Sequence, residues 1–126
     1  MKVLIAGGGI GGLTAALSLH QAGIEVRVFE STPRILPLGV GINLLPNASR
    51  ELCELGLQPE LDRLAIRTRA MCYFTRRGKL VIDSPCGELA GYRWPQYSIH
   101  RGEFQTMLAR TLVERAGPDS LVTGHR

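Results

Sequence analysis

Apolar residues along the first part of the chain change rhythm twice. Residues 3–6, VLIA, form an unbroken apolar run without a polar face, which predicts a strand buried on both sides of a parallel sheet. Leu13, Ala16 and Leu17, continued by His20 or Gln21, then recur at helical spacing, and Ala22-Gly23 supplies a stop. Residues 24–29 alternate as a second strand does and lead into Glu30. Strand, helix and strand in that order make a βαβ unit.

Further along, Ser31, Thr32 and Pro33 break the second strand, and residues 34–45 read as a glycine-bearing loop. Residues 46–55 read as a helix, with a proline near its start, Leu52 and Leu55 on one face and Gly56 at its end; residues 59–64 add another turn. From Ala70 the pattern becomes alternating. Met71, Tyr73 and Thr75 point one way, Cys72 and Phe74 the other, residues 76–79 form a turn and residues 80–83 a return strand. Such a hairpin has no place inside a purely parallel sheet, so it predicts the first piece of a second, antiparallel layer. Residues 84–95, rich in proline and glycine, read as a loop and residues 96–99 as a short extended run. Phe104, Met107, Leu108 and Leu112 then mark a helix packed on a core, stopped by Gly117-Pro118, and residues 121–123 begin a third parallel strand.

The chemistry sits in the turn between the first strand and helix. Gly7, Gly9 and Gly12 have the G-x-G-x-x-G spacing. Gly7 permits the tight turn, Gly9 lets the backbone approach a pyrophosphate, and Gly12 lets the helix lie close on the strand. A helix N-terminus offers unpaired N–H groups and partial positive charge to a diphosphate. Glu30 ends the second strand at about the 20-residue distance where an acid accepts hydrogen bonds from the ribose hydroxyls of a dinucleotide. A carboxylate there repels a 2′-phosphate, which excludes NADP from this position.

Composition narrows the class. The 126 residues amount to one domain's worth of chain, with 44% hydrophobic and 21% charged residues, as in an ordinary soluble protein. Much of the net charge of +4 comes from Arg63, Arg67, Arg69, Arg76, Arg77 and Lys79. No aromatic pattern is interleaved with them, so they read as a solvated hairpin surface and not as a nucleic-acid site. Cys53, Cys72 and Cys86 are odd in number and lack C-x-x-C spacing, which points to reduced thiols in the cytoplasm and away from a disulfide frame or a metal site. Met1-Lys2 before an apolar run superficially imitates a signal peptide, but the glycine cluster and second strand argue against one. No stretch is long and apolar enough to span a membrane.

Three stretches carry a family resemblance: GGGIGGL with Glu30, LGVGINLLPNASRELCELGL, and QYSIHRGEFQTML. In them the chain resembles the N-terminal part of the FAD-dependent aromatic hydroxylases, the single-component flavoprotein monooxygenases that include p-hydroxybenzoate and salicylate hydroxylases. LGVGIN and PQYSIHRGE are most similar to the phenazine-modifying hydroxylases. The resemblance implies an α/β fold in which a Rossmann-type βαβ FAD-binding domain comprises residues 1–69 and 96–126. It also makes the hairpin and loop of residues 70–95 the start of a second, substrate-domain layer. Arg101 then matches an arginine at a helix start that contacts FAD, a role for which a planar donor fork is suited; without the resemblance it reads as a surface residue at a helix start. Glu30 matches the ribose acid, with Ser31 beside it, and Val40 and Gly41 match a loop that passes the cofactor by its backbone. Arg34 is a further, weaker candidate for a phosphate, and His20 and His100 receive no chemical role.

The implied reaction takes a hydride from NADH or NADPH onto the flavin, adds O2 at flavin C4a to give a hydroperoxide, and inserts one oxygen into a small aromatic substrate. The single fingerprint belongs to FAD, the nicotinamide being a transient reductant. Two later family motifs, an Asp-Gly and a Gly-Asp segment, are absent, so the chain reads as truncated. It is expected to lack the catalytic residues and, alone, to hold FAD poorly and not turn over. A flavin oxidase or dehydrogenase with the same fingerprint, and a non-catalytic FAD-binding module, are the competing readings.

Overall fold

The computed structural model describes residues 1–125. In chain order the elements are β1 (Lys2–Ala6), α1 (Ile10–Gln21), β2 (Glu25–Phe29), β3 (Gly41–Leu44), α2 (Pro46–Glu54) and α3 (Gln58–Leu64). They continue as β4 (Ile66–Arg67), β5 (Ala70–Phe74), β6 (Leu80–Pro85), β7 (Tyr97–His100), α4 (Arg101–Ala116) and β8 (Leu121–Val122). Contacts divide the chain into two compact units: Met1–Val40 with the chain from His100 onward, and Gly41–Ile99.

In the first unit β1, β2 and β8 form a parallel sheet in the order β1-β2-β8. The third parallel strand therefore lies where residues 121–123 predict it. Val3 pairs with Val26 and Ile5 with Val28, so these four side chains share one face. Val26 and Val28 are buried, as are Leu13, Ala16 and Leu17 of α1 and Phe104, Met107, Leu108 and Leu112 of α4. Each fully buried leucine contributes roughly 1.5–3 kcal/mol, enough in sum to fix both helices on the sheet.

The prediction that β1 is buried on both faces is not met. Leu4 remains 63% exposed, on the face opposite Val3 and Ile5 and level with Arg27 of β2. β1 is an edge strand of the described sheet, and the packed valines and helix leucines account for one face of it.

The second unit holds a sheet of order β3-β7-β4 and a separate two-stranded sheet, β5-β6. Residues 34–45 are therefore not all loop: Gly41–Leu44 gains backbone partners in this sheet and becomes a strand. β4 pairs antiparallel with β7, Arg67 opposite Tyr97, and is too short to leave a period in the sequence. Leu52, Leu55, Leu57, Leu61, Tyr97 and Ile99 make the core. Tyr97 is fully buried and donates its hydroxyl to Asp62 Oδ1 at 2.7 Å, while the Arg67 guanidinium grips both oxygens of Asp62 at 2.8 and 2.9 Å. The Arg67 fork, with help from Tyr97, holds the Asp62 carboxyl below its usual range, and burial pushes the Tyr97 phenol up.

The hairpin forms as predicted, with Tyr73 opposite Ile82, and its turn closes by Gly78 N–H and Thr75 N–H bonds to Thr75 and Lys79 carbonyls. Its return strand runs on to Pro85, and a 3-10 turn occupies Gly87–Ala90 in the segment expected to be loop. Among the described residues no helix is long and apolar enough to cross a membrane.

Candidate functional site

The glycine turn joins β1 to α1 through steric necessity. Gly7 has φ +104°, a conformation in which a side chain is strained, and its N–H donates to the Phe29 carbonyl at 2.7 Å, tying the turn to β2. A Cβ on Gly12 would lie 2.1 Å from the Gly7 carbonyl oxygen and 3.3 Å from Ile5 Cγ2, so only glycine permits this approach of α1 to the turn and to β1. Gly9 is the N-cap of α1 and offers no side-chain cap, and a Cβ built on it meets nothing within 4 Å. The first-turn donors of α1 are thus left for an anion, with the helix dipole behind them.

Glu30 closes the other side of the turn. Its Oε2 accepts from the Gly8 N–H at 2.7 Å, and its Oε1 accepts from the Thr32 N–H at 2.8 Å, the Thr32 hydroxyl at 3.0 Å and the Ser31 hydroxyl at 3.3 Å. The backbone donors of Thr32 and Gly8 hold this carboxyl below its usual range, so it is ionised at neutral pH.

Arg101 begins α4, and its backbone N–H donates to the Val40 carbonyl at 3.0 Å. The loop reaches α4 closely because Gly102 carries no side chain: a Cβ there would lie 2.3 Å from the Pro37 carbonyl carbon and 2.4 Å from the Leu38 nitrogen. His100 caps the helix, its Nδ1 accepting from the Glu103 N–H at 3.3 Å, which gives it a structural part that the sequence did not reveal.

Glu30, Thr32, Arg34, Leu36, Arg101 and Gln105 line one cavity of about 540 Å³, large enough for part of a dinucleotide. The structure thus brings Glu30, Arg34 and Arg101 together around this cavity, with Ser31 bonded to Glu30 and Val40 bonded to Arg101. Gly41 opens β3 in the other unit, and His20 lies in the last turn of α1. Sequence reasoning passed over Thr32 and Gln105. Thr32 is two residues from the acid it binds, and Gln105 is one helical turn beyond Arg101, the spacing that places both on one helix face.

The cradle fits an adenosine diphosphate moiety. It combines an uncapped helix start, an open approach at Gly9 and an ionised carboxylate at the end of β2. Comparison with known proteins agrees. A family model described as an FAD binding domain matches residues 1–122. The chain is 48% identical over 125 residues to the phenazine 1,6-dicarboxylic acid hydroxylase of Lysobacter antibioticus, covering 98% of this chain and 31% of that protein. It is 41% identical over 104 residues to the 3-hydroxybenzoate 6-hydroxylase of Polaromonas naphthalenivorans, covering 80% of this chain and 26% of that one. The crystal structure of Klebsiella pneumoniae HpxO complexed with FAD and uric acid superposes with a TM-score of 0.77 at 29% identity, over 100% of this chain and 31% of that one. The chain thus spans about a third of the length of these relatives.

Proposed function

Because the chain belongs to the FAD binding domain family, we propose that it is the FAD-binding N-terminal part of a monooxygenase that hydroxylates a small aromatic compound with NADH or NADPH and O2. The observation that carries this reading is the family match across residues 1–122, on a chain whose glycine turn and acid have the chemistry of a dinucleotide cradle. The activities for which the relatives are named, hydroxylation of a phenazine dicarboxylate among them, support an electron-rich ring as the substrate class. The cysteines of the described chain are free, in keeping with a reducing compartment, and we assign the protein to the cytoplasm.

When bound, FAD supplies hydride acceptance from the nicotinamide and activation of O2. The residues of this chain bind and orient it. Gly7, Gly9 and Gly12 bring the N-terminus of α1 to the diphosphate, Glu30 accepts the ribose hydroxyls with Ser31 beside it, and Arg101 donates to the diphosphate or the flavin edge. The loop backbone at Val40 and Gly41 would lie beside the cofactor, with Val40 tied to the start of α4 by the Arg101 N–H.

The test is a pair of measurements on the whole monooxygenase of which this chain is proposed to be the N-terminal part, purified with its flavin. A flavin absorption spectrum together with NAD(P)H oxidation and O2 uptake that both depend on an added aromatic compound is the expected result. O2 uptake driven by a reduced substrate without nicotinamide would instead identify an oxidase, and flavin without any turnover a binding module. Replacing Glu30 with alanine should weaken FAD roughly 10–150-fold, the equivalent of ~1.5–3 kcal/mol for hydrogen bonds to a charged group. Unchanged FAD retention on dialysis would remove Glu30 from the site.

A further inference from the structure

Gly8 is held from two directions, Glu30 fixing the Gly7–Gly8 peptide and Gln105 the Gly8–Gly9 peptide. The Gly8 N–H donates to Glu30 at 2.7 Å, and the Gly8 carbonyl accepts from Gln105 Nε2 at 2.8 Å, across a separation of 97 residues. Gln105 comes from α4, one turn after Arg101, and lines the same cavity. Because a trans peptide is planar, fixing the Gly8 carbonyl also fixes the Gly9 N–H, which points the opposite way. The turn needs this restraint. Gly7, Gly8 and Gly9 are consecutive glycines, whose backbone has more freedom to lose than any other residue's, and Gly9 caps α1 with no side chain to anchor it.

We propose that Gln105 is a positioning residue: its amide sets the orientation of the Gly8–Gly9 peptide, so that the donors of the glycine turn are arranged before a diphosphate arrives. The use made of that orientation rests on the flavin reading above; the orientation itself does not. Preorganisation of this kind raises affinity by removing an ordering cost from the binding step.

The experiment compares the unsubstituted chain with Gln105→Met, which matches the length of glutamine and removes the donor. Amide order parameters of Gly8 and Gly9 are measured by NMR without cofactor, alongside thermal midpoints. FAD dissociation constants are measured by fluorescence titration on the whole monooxygenase carrying the same substitution. The expected result is a fall at Gly9 from the rigid value of about 0.85 towards about 0.6, with Gly8 still held by Glu30, little change in the midpoint, and a roughly 3–10-fold weaker FAD constant, as for one lost hydrogen bond. An unchanged order parameter at Gly9 would overturn the proposal, and so would a lowered midpoint with that amide still rigid, since Gln105 would then only support packing. Should the methionine variant fail to fold, Gln105→Glu keeps the shape and presents an acceptor to the Gly8 carbonyl, and its glycine amides decide the matter in the same way. If the whole monooxygenase with Gln105 intact shows no saturable FAD binding, the flavin reading fails while the order parameters still judge Gln105.

Discussion

Glu30 is a carboxylate whose bonding is arranged by its own neighbourhood. Donors from Gly8, Ser31 and Thr32 converge on its two oxygens, and all of them favour the ionised form. Its folded pKa is therefore below the ordinary 4.5, while in the unfolded chain it titrates near that value. Between the two values the unfolded chain binds more protons than the folded one, so acid favours unfolding there. The stabilisation Glu30 supplies is complete above about pH 4.5 and disappears as the pH falls through its folded value. Glu30→Gln removes the charge at nearly constant shape. Urea midpoints of the two proteins should differ by a constant amount from about pH 7 to about pH 5 and converge as the pH falls on below the ordinary 4.5 and through the lowered folded value. A gap that stays constant to the lowest pH would mean that the carboxylate charge is not what the turn uses.

Among the elements, β7 shows most clearly how a strand is held by its side chains. Tyr97 passes from a fully buried ring to a hydroxyl on Asp62, and Asp62 is already gripped by both arms of Arg67. Tyr97→Phe keeps the ring and removes one charge-assisted bond, while Asp62, with its side chain 38% exposed, recovers part of the loss from water. The expected cost is about 1–2 kcal/mol, read as a lower urea midpoint at unchanged slope. A midpoint equal to that of the parent would show that the bond contributes nothing net.

The elements also differ in how far the sequence declared them. α4 was legible because Phe104, Met107, Leu108 and Leu112 repeat with the helical period and are all buried. The glycine turn was legible because Gly7 and Gly12 each answer a local steric demand. β3 was hidden because its partner lies more than fifty residues away in the chain and pairing leaves no local period. The exposed face of β1 was hidden for a related reason, since a run of apolar residues does not say how many of its faces find a partner. Gln105 and the His100 cap were hidden because a polar residue in or beside a helix reads as solvated until its partner is located.

At the scale of the whole molecule, the chain covers about a third of its relatives' length, and its stability is unevenly distributed. In α4, Phe104, Leu108 and Leu112 are at most 1% exposed. In the hairpin, Met71, Tyr73, Phe74, Leu80, Val81 and Ile82 are between 38% and 61% exposed, and every residue of β5 and β6 is exposed. A two-stranded sheet without a covered apolar face is marginal in water, because its ladder alone barely offsets the entropy of ordering it. Its backbone should therefore open without the rest of the fold. Hydrogen exchange on the 126-residue chain at low concentration should find the β5 and β6 amides exchanging about 100-fold or more faster than the central amides of α4. Equal protection at low concentration would show that the hairpin is stabilised within the single chain. Protection that grows with protein concentration would show instead that its apolar faces are being covered by a second copy, and the accompanying rise in mass by light scattering would confirm which surface is responsible only if Tyr73→Lys abolishes both effects together.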